Sequence, residues 1–247
     1  MLLTAQNLPV ETPGRAWPHT LSMEAFRARW RFEGEEFWYL VFEKHRDKMQ
    51  IKNSRLAVAN LEKIFSATFS LAAEKGFQAM SLRDLSSEAQ ISMGGLYSYI
   101  GSKDDLASVI EGVLRSCIDR VVDDLNRAQL APLEYLRTLI FGEIYMVEVL
   151  RPWYHFCFME LRGLPREQQK QTLELELRFE DALIEVFDRG TEAGHFACSH
   201  PALLASQVTA QLEQWHLKQW KFKHRGVSND QYAQFIYDNL LRCLRGG

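Results

Sequence analysis

From His19 to Ala131 the chain contains no proline, and each of the four later prolines, Pro132, Pro152, Pro165 and Pro201, precedes or opens a run with helical spacing. A pyrrolidine ring is tolerated in the first turn of a helix and breaks its interior. That distribution predicts an all-α fold. With 247 residues, 47% hydrophobic and 25% charged, the chain has the profile of one large globular domain or two small ones. No stretch of about 18 uncharged apolar residues occurs, so no membrane-spanning helix is expected. The opening Met1-Leu2-Leu3-Thr4 lacks the charged start and apolar run of a secretion signal, which predicts a cytoplasmic protein. Cys117, Cys157, Cys198 and Cys243 lie at least 40 residues apart without metal-ligand spacing, and are expected to be free thiols.

Residues 1–21, with three prolines, are expected to form a poorly ordered tail. From Phe26 to Lys44 two readings stay open. Arg27 to Phe32 alternates like a strand and Glu33-Gly34-Glu35 could turn, whereas Phe37, Leu40, Val41 and Lys44 fall at helical spacing, which tips the reading to helix. Asn53 or Ser54 then caps a helix whose apolar positions Leu61, Ile64, Phe65, Thr68, Phe69 and Ala72 recur at three- and four-residue steps. Gly76 followed by Phe77 is its stop. Ser81 to Asp84 and Ser102 to Asp105 form two capping boxes, and between them Ser92 caps a brief helix over residues 93–100. Further helical runs are predicted at about 133–150, 153–162, 166–190, 201–223 and 229–244.

Between Ser81 and Ile100 the arrangement is helix, four-residue turn, short helix, with Leu85, Ala89, Ile91 and Leu96 as a small apolar core. A helix-turn-helix needs this, because its second helix packs one face on its neighbour and offers the other to a DNA groove. The string Ser92-Met93-Gly94-Gly95-Leu96-Tyr97-Ser98-Tyr99-Ile100-Gly101-Ser102-Lys103-Asp104-Asp105-Leu106 resembles the signature of TetR-family transcriptional regulators. The resemblance covers about residues 52–110. More loosely, Glu192 to Phe196 before Pro201, and Trp215 to Lys223, are similar to the family's C-terminal pattern.

The resemblance implies a three-helix DNA-binding domain over residues 51–105, a helical effector-binding and dimerisation domain over 106–247, and an N-terminal extension over 1–50. It implies a duplex contacted by Ser81, Tyr97, Tyr99 and Lys103 at phosphates, with Gly94 and Gly95 allowing close approach. Arg83, Met93, Gly95 and Ser98 are the candidate base readers, and of these only Arg83 offers a bidentate guanine contact. Three positions depart from the pattern: Gln90 replaces a turn glycine, Ser86 an alanine, and Ile100 an aromatic residue. A left-handed non-glycine residue at Gln90 costs about 1 to 2 kcal/mol.

Residues 44–105 carry a net charge of +2, between segments of −2 and −3. Lys44, His45, Arg46, Lys48, Lys52 and Arg55 precede the first long helix, either as a solvated face or as an arm that reaches the minor groove or flanking phosphates, with Lys52 and Arg55 as the expected DNA contacts. In the C-terminal half, Pro152 to Arg162 is dense in aromatic residues. Each alone reads as core, but together with Glu160, Arg162 and His155 they predict a mostly apolar cavity with a few orienting polar groups. Its expected lining is Tyr145, Trp153, Phe156, Glu160 and Trp215. Apolar stripes on the last two helices, Leu204, Val208, Leu212 and Trp215 on one, Tyr232, Phe235, Ile236, Asn239, Leu240 and Cys243 on the other, are by resemblance a homodimer interface.

No catalytic constellation, phosphate-binding loop, metal site or cofactor motif is present in the sequence. The expected function is a ligand-responsive DNA-binding regulator, a repressor released from its operator by a small apolar effector. The alternative is a DNA-bound adaptor that recruits a protein and has no effector, which a closed core without a cavity would favour.

Overall fold

The computed structural model describes residues 17–51, 53–160 and 166–245, and all regular structure among them is helical. Two short helices come first, α1 (Met23–Trp30) and α2 (Gly34–His45), followed by a 3-10 turn over Arg46–Lys48. The strand-like alternation from Arg27 to Phe32 is therefore helical up to Trp30. Phe26 and Trp30, one turn apart, are the buried pair, and Arg31 in the left-handed region (φ 47°) ends the helix. The tail also needs correction: Trp17 is buried, with its ring edge-on to Phe26 at 5.1 Å and to Tyr145 at 6.0 Å. Residues 1–16 lie outside the described residues.

The next three helices are α3 (Ser54–Lys75), α4 (Leu82–Glu88) and α5 (Met93–Tyr97). Asn53 caps α3 by accepting from the Leu56 N–H at 3.1 Å, and Leu61, Ile64, Phe65, Thr68 and Ala72 are buried as their spacing predicts. Gly76 ends the helix at φ 83°, a backbone region that side chains rarely adopt, and Phe77 behind it is fully buried.

Helix α6 (Lys103–Arg127) runs from this unit into the C-terminal half. Its cap is half the predicted box: Ser102 Oγ accepts from the Asp105 N–H at 3.0 Å, and no reciprocal bond is seen among the described residues. There follow α7 (Pro132–Val149), α8 (Arg151–His155), which continues as a π-helical turn over Phe156–Glu160, and α9 (Arg166–Glu192). The last three are α10 (Pro201–Leu217), α11 (Gln219–His224) and α12 (Asn229–Arg245). The run predicted at 201–223 is thus broken at Lys218. Pro132, Pro152 and Pro201 occupy first turns, while Pro165 is outside the described residues.

One continuous apolar core extends from Trp17 to Leu244. The first two helices are part of it. Phe37 meets Trp153 at 5.6 Å, Trp38 meets Phe65 at 5.6 Å, and Trp153 stacks on Phe65 at 5.2 Å. At the rim, Arg29 pairs with Asp124 on α6, and Lys44 Nζ donates to the Gly112 carbonyl at 3.0 Å. The N-terminal extension thereby joins α3 to α6, α7 and α8.

Candidate DNA-reading surface and effector cavity

Helix α4 starts in a complete capping box. Asp84 accepts from the Ser81 N–H and the Ser81 hydroxyl, both at 2.8 Å, while Ser81 Oγ accepts from the Asp84 N–H at 3.1 Å. Lys75 at 2.9 Å completes the cluster and, as the main cause, holds the Asp84 carboxyl well below the usual carboxylate range. The Ser81 hydroxyl, exposed at the start of α4, is thus directed to Asp84. Gln90 adopts the predicted left-handed conformation, φ 56°. The turn is stitched by Ser86, whose hydroxyl donates to the Ile91 carbonyl at 2.6 Å, a bond the usual alanine could not make. Leu85, Ala89 and Leu96 are buried and Ile91 packs against them.

Helix α5 is capped by Ser92, which accepts from the Gly95 N–H at 3.1 Å. Gly94 opens onto free space, but a Cβ on Gly95 would meet Ile91 Cγ2 at 3.0 Å. Gly95 is thus explained by internal packing as much as by DNA. Arg83 and Tyr97 are exposed, Tyr97 at 50%, with Met93 and Ser98 half-buried beside them. Ser98 Oγ donates back to the Gly94 carbonyl at 3.1 Å, and the Ser98 carbonyl accepts from the Gln50 N–H at 2.9 Å. Arg55 is exposed on the first turn of α3, and Lys52 lies outside the described residues.

Two predicted phosphate contacts are placed otherwise. Tyr99 is 4% exposed, and its hydroxyl accepts from Asn60 Nδ2 on α3 at 2.9 Å, so it is a packing residue. Lys103 Nζ donates to the Gln78 carbonyl at 3.0 Å and lies 4.9 Å from the Phe77 ring centre, with burial lowering its pKa. It ties the start of α6 to the turn between α3 and α4.

Among the described residues, the five predicted effector residues do not converge on one cavity. Tyr145 is sealed under Trp17 and Phe26, its hydroxyl donating to Asp230 on α12. Trp153 is enclosed by Phe37, Trp38, Phe65 and Phe69. Trp215 stacks on Phe222 and Tyr232, and its indole N–H donates to Glu148 at 2.6 Å. Glu160 accepts from the Phe77 N–H at 2.7 Å, bracing the end of α3. Phe156 borders a cavity of ligand size, about 310 Å³, with Phe69, Ala72, Ala73, Arg151, Pro152, His155 and His216 among the described residues. Arg162, also expected there, is outside the described residues.

Behind His216 a second space of about 30 Å³ is walled by Glu143, Tyr154, Thr209 and Glu213 among others, enough for about one water. Burial pushes the Glu143 carboxyl up to about 7 against the Tyr154 hydroxyl that donates to it. Burial, with His155 nearby, lowers His216 to about 4. Thr209 Oγ1 and His216 Nε2 are buried with no hydrogen-bond partner among the described residues.

The expected dimer stripes mostly face inward. Val208, Leu212, Trp215, Ile236 and Leu240 are core residues of the single chain. The apolar side chains left outside are Leu203 and Trp220 at 71%, Phe235 at 61%, and Leu217. Among the described residues there is no group of three or more His, Cys, Asp or Glu that could hold a metal ion, and no helix long and apolar enough to cross a membrane.

Residues 64–110 match the family model for bacterial regulatory proteins of the tetR family. Over 198 residues the chain is 24% identical to the HTH-type transcriptional regulator HbdR of Aromatoleum sp. (strain CIB), covering 78% of this chain and 83% of that protein. A tetR-family regulatory protein from Rhodococcus RHA1 superposes with a TM-score of 0.66 at 17% identity, covering 75% of this chain and 96% of its own. The regulator FadR of Bacillus subtilis, solved with stearoyl-CoA, superposes at 0.60 with 16% identity, covering 75% and 100%.

Proposed function

We propose that the protein is a homodimeric transcriptional repressor of the tetR kind, the family whose model residues 64–110 match, and that it leaves its operator when a small effector occupies the C-terminal half. The observation that carries this reading is the position of the 310 Å³ cavity. It lies between α3, which belongs to the DNA-reading unit, and α8 and α10, which do not. An occupant therefore bears on the helix that sets the attitude of α4 and α5.

The reader is residues 51–105 and the effector half 106–247 in this account. Tyr97, Arg83, Met93 and Gly94 form its outward face, with Arg55 at the flank. Tyr97 and Arg55 meet phosphates, and Arg83 reads a base. Leu203, Leu217, Trp220 and Phe235 bury one another across a two-fold axis, which sets two α5 helices about 34 Å apart, one turn of DNA. The stearoyl-CoA on the B. subtilis regulator supports an effector with an apolar portion. The effector releases DNA only by binding the off-operator arrangement better, since equal affinity for both shifts nothing. An adaptor without an effector loses support, because a pocket of ligand size opens between α3, α8 and α10.

Footprinting on the DNA upstream of the protein's own gene tests this. A protected two-fold site spanning two successive turns is expected. Protection that is uniform along the duplex would refute the reading.

A further inference from the structure

The 310 Å³ cavity has two kinds of wall. Phe69, Ala72, Pro152 and Phe156 supply apolar surface, whereas Arg151, His155 and His216 bring nitrogen donors to the same space, and no carboxylate lines it among the described residues. Glu148 accepts from Arg151 on one oxygen and from Trp215 and Gln219 on the other, which fixes the guanidinium at the rim while the acid stays engaged. The His216 ring packs against the stacked pair Tyr154 and Phe158, with centroids at 5.9 and 5.2 Å. Its Nε2 is buried and has no partner among the described residues, a state that a ligand acceptor would relieve.

We propose that this cavity binds a compact organic carboxylate, an aromatic acid or a short to medium-chain fatty acid anion, with its hydrocarbon on Phe69 and Phe156 and its carboxylate among Arg151, His155 and His216. The inference rests on the effector reading above and adds the chemical class. Charge-assisted bonds to an ionised oxygen are the strong ones in such a site, and a neutral isostere lacks them. The volume sits at the lower end of ligand cavities, about 300 to 1,000 Å³, so a single ring or a chain of six to eight carbons suits it better than a long acyl tail. The α3 wall, with Ala72 buried and Ala73 at the exposed mouth, lies one turn before Gly76 and Phe77, where Glu160 and Lys103 brace the joint to α4. The acid thus wedges α3 from α8 at that joint.

Calorimetric titration of the full chain with benzoate and octanoate, beside benzyl alcohol, octanol and stearoyl-CoA, tests the class. Both acids are expected to bind saturably and at least tenfold more tightly than their alcohols. Ala73→Phe, a change at the exposed mouth, should abolish acid binding while operator affinity without ligand is retained. Arg151→Gln should weaken the acids and leave the alcohols unchanged. No saturable binding of either acid, equal affinity for acid and alcohol, or an Ala73→Phe variant that binds like the parent would each overturn the proposal. Operator release separates the two readings. If the acids bind as expected and DNA stays bound, the cavity stands and the repressor reading fails. If stearoyl-CoA releases DNA from parent and Ala73→Phe alike while the acids do not bind, the repressor reading stands and the cavity assignment falls.

Discussion

Tyr97 is the last residue of α5 and Tyr99 follows its cap, Ser98. The structure turns Tyr97 to solvent and Tyr99 to Asn60. Removing either hydroxyl should separate these roles. Tyr97→Phe is expected to weaken operator binding roughly fivefold, about 1 kcal/mol, with unchanged stability. Tyr99→Phe should lower unfolding stability by about 1 kcal/mol, as read by denaturant titration. A second pair concerns protons. Glu143, raised to about 7, holds a proton in the fold that it releases in the unfolded chain, so its contribution falls as pH rises from about 4.5 to 7. His216, lowered to about 4, does the opposite: it is neutral in the fold, and stability is lost as pH falls from about 6.5 to 4. Between about 4.5 and 6.5 the two offset. Glu143→Gln should leave a stability that climbs with pH across that window, and His216→Gln one that declines, both measured by urea midpoints. Identical pH profiles in the parent and both variants would contradict the assignment.

Among the elements, α3 to α6 were legible before any coordinates, because their boundaries are written in side chains that act locally. Asn53, Ser81, Ser92 and Ser102 each accept the backbone N–H that their position predicts. Gln90 takes the left-handed turn at a place where the pattern wants glycine. Helices α1 and α2 were legible only in part. The Arg-Ala-Arg-Trp-Arg-Phe alternation has a strand period, while the competing signal, Phe26 and Trp30 at i and i+4, is a single pair. Their aromatic side chains bind the reader to the C-terminal half, and Trp38→Ala should cost about 3 to 5 kcal/mol in unfolding stability. The basic run gives a contrasting prediction. Lys44 is spent on the Gly112 carbonyl of α6, whereas Arg55 is exposed at the start of α3. Arg55→Gln is expected to reduce the salt dependence of operator binding by about one phosphate contact, and Lys44→Gln to leave it unchanged.

At the scale of the whole molecule, sequence patterning located the aromatic wealth of the C-terminal half but not its use. Four of the five residues expected around an effector are consumed in packing or in bracing a joint, since Tyr145, Trp153 and Trp215 each meet aromatic neighbours from segments distant in sequence. Such contacts have no period to read. The same reason hid the proposed dimer face. An amphipathic stripe tells which side of a helix is buried, and in α10 and α12 that side is the chain's own core, which leaves Leu203, Leu217, Trp220 and Phe235 outside. Trp220→Asp with Phe235→Asp should yield a folded monomer by sedimentation and remove tight operator binding. The most direct test of the account is the affinity of the purified parent protein for the DNA upstream of its own gene against a scrambled duplex, from about 50 to 200 mM salt. A preference of about a thousandfold or more that persists across the series, with affinity falling steeply as salt rises, is predicted. Equal affinity for the two duplexes would contradict it.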